Sequence, residues 1–347
     1  MSLDDKRLRH LADVFSGGDD GNFRYRIVER VGAGGMGTVY RAFDTILDRE
    51  VALKVIETKM GKSFEQRFHD EARIMAQIEH PGIIPVHDLG SLDDGRPYYA
   101  MKLVRGRRLD EFREEGHSLN DLLRIFLTVC ETLSHAHSRG VIHRDLKPAN
   151  IMVGEFGAVH VLDWGLAKAV TAPSDYAKTD QTGEAGQENR ESTQHGTVMG
   201  TPAYMAPEQA KGQIANIDTR TDVYSLCAVL FFLLTGQPPF SGSSKEDLLN
   251  AVMSQEPRSP KQLEPSVPKP LERICMAGLK KNPTKRYQSV VDLTRDITAY
   301  LDSSPVSVYR EPISERIARW AHANRFLIYI VLSYLAMRLL ILFWPSA

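Results

Sequence analysis

Apolar positions in this chain follow two different periods. Residues 25–28, 38–42 and 50–56 alternate apolar and polar side chains, with glycine or charged turns between them, which predicts an antiparallel meander of short strands. Residues 63–78 switch to helical spacing through Phe64, Phe68, Ala72, Met75 and Ile78, and His80-Pro81-Gly82 ends that helix. Strands are expected again at 84–89 and 97–103. After Gly106 the chain turns helical, with candidates at 119–138, 222–235, 245–255, 271–279 and 289–301. The pattern is α+β: a small β-rich unit with one helix (25–103), then a larger, mainly helical one (104–302). Two such units make two lobes with a cleft between them, where ligands tend to sit.

Three stretches fall outside this pattern. Residues 1–24 are charged and turn-rich and read as a loose leader without the apolar core of a signal peptide. Residues 171–197 are Thr, Ser, Asp, Glu, Gln and Gly with few large apolar side chains, and read as a mobile loop inserted in the larger lobe. Residues 326–344 are apolar but for a few positions, chiefly Ser333 and Arg338, about 28 Å at helical rise and close to a bilayer's hydrocarbon core. Arg316, Arg319 and Arg325 in a basic linker (303–325) precede the run and predict a single membrane span with the lobes on the cytoplasmic side. Arg338 sits near the far end, within snorkelling reach of that interface. The competing expectation is a helix lying on a membrane surface or docked on the protein. The three residues after Trp344 predict no domain beyond it.

Composition narrows the chemistry. The chain has 347 residues with a formal net charge of −1, which points away from nucleic acid as a partner. Cys130, Cys227 and Cys275 are far apart and lack Cys-x-x-Cys spacing, so they read as reduced, buried thiols.

Two motifs carry candidate chemistry. Val31-Gly32-Ala33-Gly34-Gly35-Met36-Gly37-Thr38-Val39 sits between two strand-like runs, and glycines so placed let backbone N–H groups approach phosphate oxygens. A dinucleotide-binding turn shares these letters but requires a helix next. Here β-prone Thr38-Val39-Tyr40 follows, and then Lys54 on the next strand. The second motif is His143-Arg144-Asp145-Leu146-Lys147-Pro148-Ala149-Asn150, followed by Asp163-Trp164-Gly165. Between Asn150 and Asp163, residues 151–153 and 159–162 read as a strand pair around Gly157 that returns Asp163 towards Asn150. An amide oxygen and a carboxylate so placed suit Mg²⁺, a hard cation that prefers oxygen ligands.

In this combination and order, the motifs resemble those of eukaryotic-like, bacterial-type serine/threonine protein kinases over about residues 25–302. The resemblance implies a two-lobed protein kinase fold carrying, here, a C-terminal hydrophobic helix. It also implies ATP and Mg²⁺ as cofactors and transfer of the γ-phosphate to protein Ser or Thr hydroxyls. By the resemblance, residues 31–39 and Lys54 hold the phosphates. Glu71 pairs with Lys54, with Asp70 and Glu65 as nearby alternatives. Asp145 orients the substrate hydroxyl, Lys147 neutralises charge on the transferring group, and Asn150 with Asp163 holds the metal. His143 is expected to be structural. Arg144 is expected to receive a phosphate from the segment between Asp163 and Glu208, with Thr193 and Thr197 as candidates and a homodimer phosphorylating in trans as a candidate arrangement. Lys147 and Thr201 are typical of serine/threonine specificity. Glu208 is expected to pair with Arg286, and Asp222 to anchor the loop backbone.

Three positions depart from the family pattern: Trp164 replaces a phenylalanine, Cys227 a glycine and Lys102 an acidic residue. None removes a charged group of the site. The alternatives are a catalytically weak pseudokinase scaffold, against which Lys54, Asp145, Asn150 and Asp163 are all present, and a small-molecule kinase, against which the 201–208 docking segment stands. The physiological substrate and the activating signal have no sequence signature.

Overall fold

The alternating runs of the small lobe form five antiparallel strands: β1 (Tyr25–Gly34), β2 (Gly37–Asp44), β3 (Arg49–Val55), β4 (Val86–Ser91) and β5 (Pro97–Lys102). Their order in the sheet is β1-β2-β3-β5-β4. The computed structural model describes residues 24–34, 37–56, 62–92, 94–164, 168–169, 202–314, 316–317, 320 and 324–342. Along β2 burial alternates residue by residue, as a strand with one dry face requires. The dry face packs Tyr25, Tyr40, Val51, Leu53, Val55, Tyr98 and Ala100. Helix α1 (Lys62–Gln77) buries Phe68, Ala72 and Met75, which join a larger core continuing through Tyr99 into the second lobe. Phe68 and Met75 each contribute about 1.5–3 kcal/mol on burial, and Ala72 less than about 1 kcal/mol. The helix is therefore held by its apolar stripe at the junction of the lobes.

The large lobe starts with β6 (Gly106–Arg108), α2 (Leu109–Glu114) and α3 (Leu119–Ser138). Ser118 caps α3 by accepting from Asp121 N. Next come β7 (Val141–Ile142), β8 (Ile151–Gly154), β9 (Val159–Val161) and β10 (Lys168–Ala169). β8 and β9 pair antiparallel, with Ile151 opposite Val161. This is the strand pair the sequence pattern predicts. The helices α4 (Pro207–Ala210), α5 (Thr219–Thr235), α6 (Lys245–Ser254), α7 (Pro260–Leu263), α8 (Lys269–Gly278) and α9 (Val290–Leu301) follow. α5 is buried on nearly every side from Thr221 to Leu234, so it forms the axis of the lobe. It begins three residues before the expected Asp222 because Asp218 caps it, and Gly236 ends it at φ 77°. Cys130, Cys227 and Cys275 are free thiols buried around this axis.

Helix α10 (Arg325–Leu342) occupies most of the C-terminal apolar run. Phe326, Tyr329, Ile330, Leu332 and Leu335 on it are about half exposed or more. Among the described residues no helix is long and apolar enough to cross a membrane. The leader 1–23, Gly35, Met36, Gly165, the 171–197 loop with Thr193 and Thr197, Thr201 and residues 343–347 lie outside the described residues.

Candidate active site

The small lobe supplies a buried cation. Lys54 is set in β3 between Val39 of β2 and Tyr99 of β5. Its Nζ donates to both oxygens of Glu71 on α1, at 2.8 and 3.0 Å. Asp70 instead takes a hydrogen bond from Gln66 on the exposed side of the helix. Tyr99, 1% exposed, donates its hydroxyl to Glu71 Oε1 at 3.1 Å and packs its ring on Phe68, centroids 4.9 Å apart. Burial alone would lower the Lys54 pKa, but the negative charges of Glu71 and Asp163 more than offset this and hold it above the ordinary lysine value. The ammonium therefore stays charged inside the protein. Burial, with the adjacent Glu71 and Asp163, keeps the Tyr99 hydroxyl protonated far into base. Tyr99 has no sequence motif; its register opposite Lys54 was the only available signal.

The hairpin of β1 and β2 lies beside this cation, with Ala33 paired to Thr38 and Gly34 to Gly37. A side chain on Gly37 would run into the Val55 carbonyl, so packing against β3 demands glycine there. Gly32 differs: a Cβ added to it meets nothing within 4 Å. Among the described residues, packing does not require glycine at 32, and the space beside it is open.

The large lobe supplies the carboxylates on two short loops braced against each other. Asp222, fully buried on α5, accepts from the backbone N–H of His143 at 2.8 Å and of Arg144 at 2.9 Å. His137 contacts the same carboxylate at 2.7 Å. Gln209 donates to the Arg144 carbonyl at 2.7 Å, so both peptide groups of that residue are pinned. Arg144 is held at φ 70° and Asp163 at φ 56°, the left-handed region that side chains disfavour. Such conformations cost on the order of 1–3 kcal/mol and persist only where the surroundings over-determine them. His143 joins the two loops. Its Nε2 lies 2.9 Å from the Leu162 carbonyl, an acceptor, so Nε2 carries the proton, while Nδ1 accepts from Asp145 N at 3.2 Å. The imidazole is thus a cross-brace, the structural role its sequence position suggests. Trp164 is 1% exposed, meets the His143 ring edge-on at 4.7 Å and donates Nε1–H to Val161 O. The larger indole thus has both room and a partner.

Asp145 faces the cleft, half-buried. Lys147 Nζ donates to its Oδ2 at 2.8 Å, and Asn150 Nδ2 donates to the Asp145 carbonyl at 2.8 Å and to Oδ2 at 3.3 Å. Both acceptors are oxygens without hydrogen, which fixes the orientation of the Asn150 amide and leaves its Oδ1 as a free-standing acceptor edge. Leu162 N donates to Asn150 O at 2.8 Å, which sets Asp163 beside Asn150 in the backbone. The Asp163 side chain is 60% exposed with Oδ1 3.5 Å from Lys54 Nζ, linking the two lobes' charges. An amide oxygen and an exposed carboxylate are a donor set that fits Mg²⁺, a hard cation that prefers oxygen ligands. Among the described residues no cluster of three or more His, Cys, Asp or Glu could hold a metal ion.

Away from the cleft, Arg286 makes a two-pronged pair with Glu208 at 2.8 and 2.8 Å, fully enclosed. Thr221 donates to the same carboxylate at 2.9 Å.

A bilobal fold whose cleft gathers a lysine–glutamate pair, an aspartate–lysine–asparagine loop and a second aspartate has the arrangement of a protein kinase domain. Residues 25–296 match the family described as the protein kinase domain. The chain is 36% identical to "Serine/threonine-protein kinase PknD" of Protochlamydia amoebophila, over 80% of this chain and 30% of that protein. It is 38% identical to "DNA damage-responsive serine/threonine-protein kinase RqkA" of Deinococcus radiodurans, over 77% of this chain and 38% of the relative. With "Serine/threonine-protein kinase PrkC" of Bacillus subtilis it shares 34% identity, over 84% and 43%. The chain belongs to the protein kinase family, in its bacterial serine/threonine branch. It spans less than half the length of these relatives.

Proposed function

We propose that the chain transfers the γ-phosphoryl group of ATP to serine or threonine hydroxyls of proteins, in a Mg²⁺-dependent reaction. The observation that carries this reading is the convergence of Lys54, Asp145, Asn150 and Asp163, from three separate segments, on one cleft. Lys54, kept charged and extended by Glu71, binds the α- and β-phosphates beneath the 31–39 hairpin. Open space over Gly32 admits them. Asp145 accepts the hydrogen bond of the substrate hydroxyl and aims its oxygen at the γ-phosphorus. As the new O–P bond forms and the bond to the β-phosphate oxygen breaks, the hydroxyl proton passes to Asp145. Lys147, already against Asp145, moves its charge onto the transferring group. Asn150 Oδ1 and Asp163 would hold Mg²⁺, which when bound would offset the phosphates' negative charge.

Transfer of label from [γ-³²P]ATP to a serine- and threonine-containing peptide library, with the natural chain against Asp145→Asn, tests this reading. Label well above the Asp145→Asn background is the expected result. Equal background signals would instead favour a binding scaffold that keeps the fold without turnover.

Two finer readings go with this one. Autophosphorylation of Thr193 or Thr197, in trans between two copies, would give Arg144 a phosphate partner; a phosphosite map of active enzyme with neither residue modified removes it. The run 326–344 attaches the chain to a membrane with the lobes on the cytoplasmic side, supported by its apolar composition and by Arg316, Arg319 and Arg325 before it. The full chain is expected to sediment with membranes and resist carbonate, and release by carbonate would assign the segment to the membrane surface instead.

A further inference from the structure

The hairpin that returns Asp163 to the site turns on the wrong kind of residue. Glu155 to Ala158 form a two-residue turn closed by Ala158 N donating to Glu155 O, with Phe156 at φ 57°, ψ 24° and Gly157 at φ 76°. Positive φ at both central positions is the turn that favours asparagine or glycine first and glycine second. Gly157 obeys that rule and Phe156 breaks it, since a bulky side chain in the left-handed region is a true outlier. The ring recovers nothing among the described residues: Phe156 is 104% exposed, a whole aromatic side chain in water.

Beside this turn lies a cavity of about 340 Å³, bordered by Gly154 and Gly157 of the hairpin and by α2 and α3. Its floor is apolar (Ile125, Val153, Val159), and its rim on α3 carries Asp121 and Arg124, one acid and one base a single helical turn apart. An exposed ring thus sits one residue from a glycine that borders the cavity. The ring at 156 stands in solvent and is not part of the cavity lining. A two-fold axis between two copies solves both problems at once, because each ring enters the other copy's cavity. Such an interface is self-complementary, and the opposite signs on its rim allow Asp121 of one copy to meet Arg124 of the other.

We propose that this face is a homodimerisation surface in which Phe156 of each copy plugs the cavity between α2, α3 and the β8–β9 hairpin of the second. The occupant is another copy of this chain. The surface lies away from the cleft and does not depend on the phosphoryl-transfer reading. Label transfer to a peptide tests that reading, and physical association tests this one.

The full chain in detergent micelles, with a benzoyl-phenylalanine photo-cross-linker at 156, is mixed with ¹⁵N-labelled full chain and irradiated. The expected products join light and heavy copies, with position 156 attached within residues 121–128. No light–heavy product, or products mapping outside the cavity, overturn the proposal. So does attachment only to an added protein substrate, which would make the cavity a substrate-docking site. Phe156→Gly keeps the result interpretable because glycine suits the turn. Its melting temperature is expected to be unchanged or raised, peptide phosphorylation unchanged and dimer affinity about tenfold weaker or more, as for a buried aromatic anchor. A Phe156→Gly chain that folds and still dimerises with wild-type affinity also overturns it.

Discussion

Asp222→Asn is the sharpest test of how the site is held, because it keeps the side chain's shape and removes one acceptor. The carboxylate serves three donors on two oxygens: His143 N and His137 Nε2 on Oδ2, and Arg144 N on Oδ1. An amide has a single oxygen. Its better orientation keeps that oxygen towards His143 and His137 and turns the NH₂ against the Arg144 N–H. That buried donor is then unsatisfied, at a cost of about 1–3 kcal/mol, and the two remaining bonds lose their charge assistance, about 1 kcal/mol each. Removing a fully buried charge recovers part of this. The net loss is about 2–3 kcal/mol. The released peptide is also the strained one, since Arg144 sits at φ 70° directly before Asp145. Relaxation there displaces Asp145, so kcat is expected to fall about tenfold while KM for ATP, set by the other lobe, changes little. Urea unfolding with matched m-values measures the first effect and steady-state peptide phosphorylation the second. A stability change below about 0.5 kcal/mol with kcat intact would refute the reasoning. The charge adds a pH signature. Burial alone would raise the Asp222 pKa, but the hydrogen bond and charge of His137, with His143 and the Arg144 N–H, leave it below the ordinary value. A depressed folded-state pKa contributes stability that is complete above the unfolded value of about 3.9 and is lost as pH falls through the folded one. The gap between wild type and Asp222→Asn is therefore expected to be widest near neutral pH and to close in acid below about pH 4.

Arg286→Ala strands Glu208 in the interior and is expected to cost about 3–5 kcal/mol in urea unfolding, whereas Glu208→Leu with Arg286→Met together costs far less. An equal loss in both variants would contradict the ion-pair account. Lys54→Met leaves Glu71 with only the Tyr99 hydroxyl of its two partners and removes the phosphate cation; label transfer is expected to drop to the Asp145→Asn background while far-ultraviolet circular dichroism is retained. Trp164→Phe removes the Nε1–H to Val161 O bond and leaves unfilled volume beside His143, for about 1–3 kcal/mol of stability by denaturant titration, with kcat within a few-fold of wild type. A hundredfold fall in kcat would mean that the indole does more than pack.

What the sequence revealed follows from the range over which each interaction acts. β2 alternates because one of its faces is dry, and α3 spans 119–138 as its periodicity predicts because Ser118 caps it locally. The site residues were legible for a related reason: Asp145, Lys147 and Asn150 lie within six positions, and a short hairpin brings Asp163 back to them. The residues that hold the site rigid carry no such mark. His137 meets Asp222 across 85 positions and Gln209 reaches Arg144 across 65, so neither pair leaves a spacing to read. Tyr99 looks like an ordinary strand tyrosine until the register sets it beside Lys54. Family resemblance could point to Asp222 as an anchor, but the second brace through Gln209 is visible only in three dimensions. The same holds at the hairpin tip, where Glu-Phe-Gly reads as an unremarkable turn. Only the backbone angles show that Phe156 occupies a conformation the turn would assign to asparagine or glycine. Chemistry in this chain is thus local and readable, whereas the rigidity that makes it usable is built from partners far apart in sequence. Substitutions at the distant braces, more than at the motif residues themselves, measure how much of the site's competence comes from the fold.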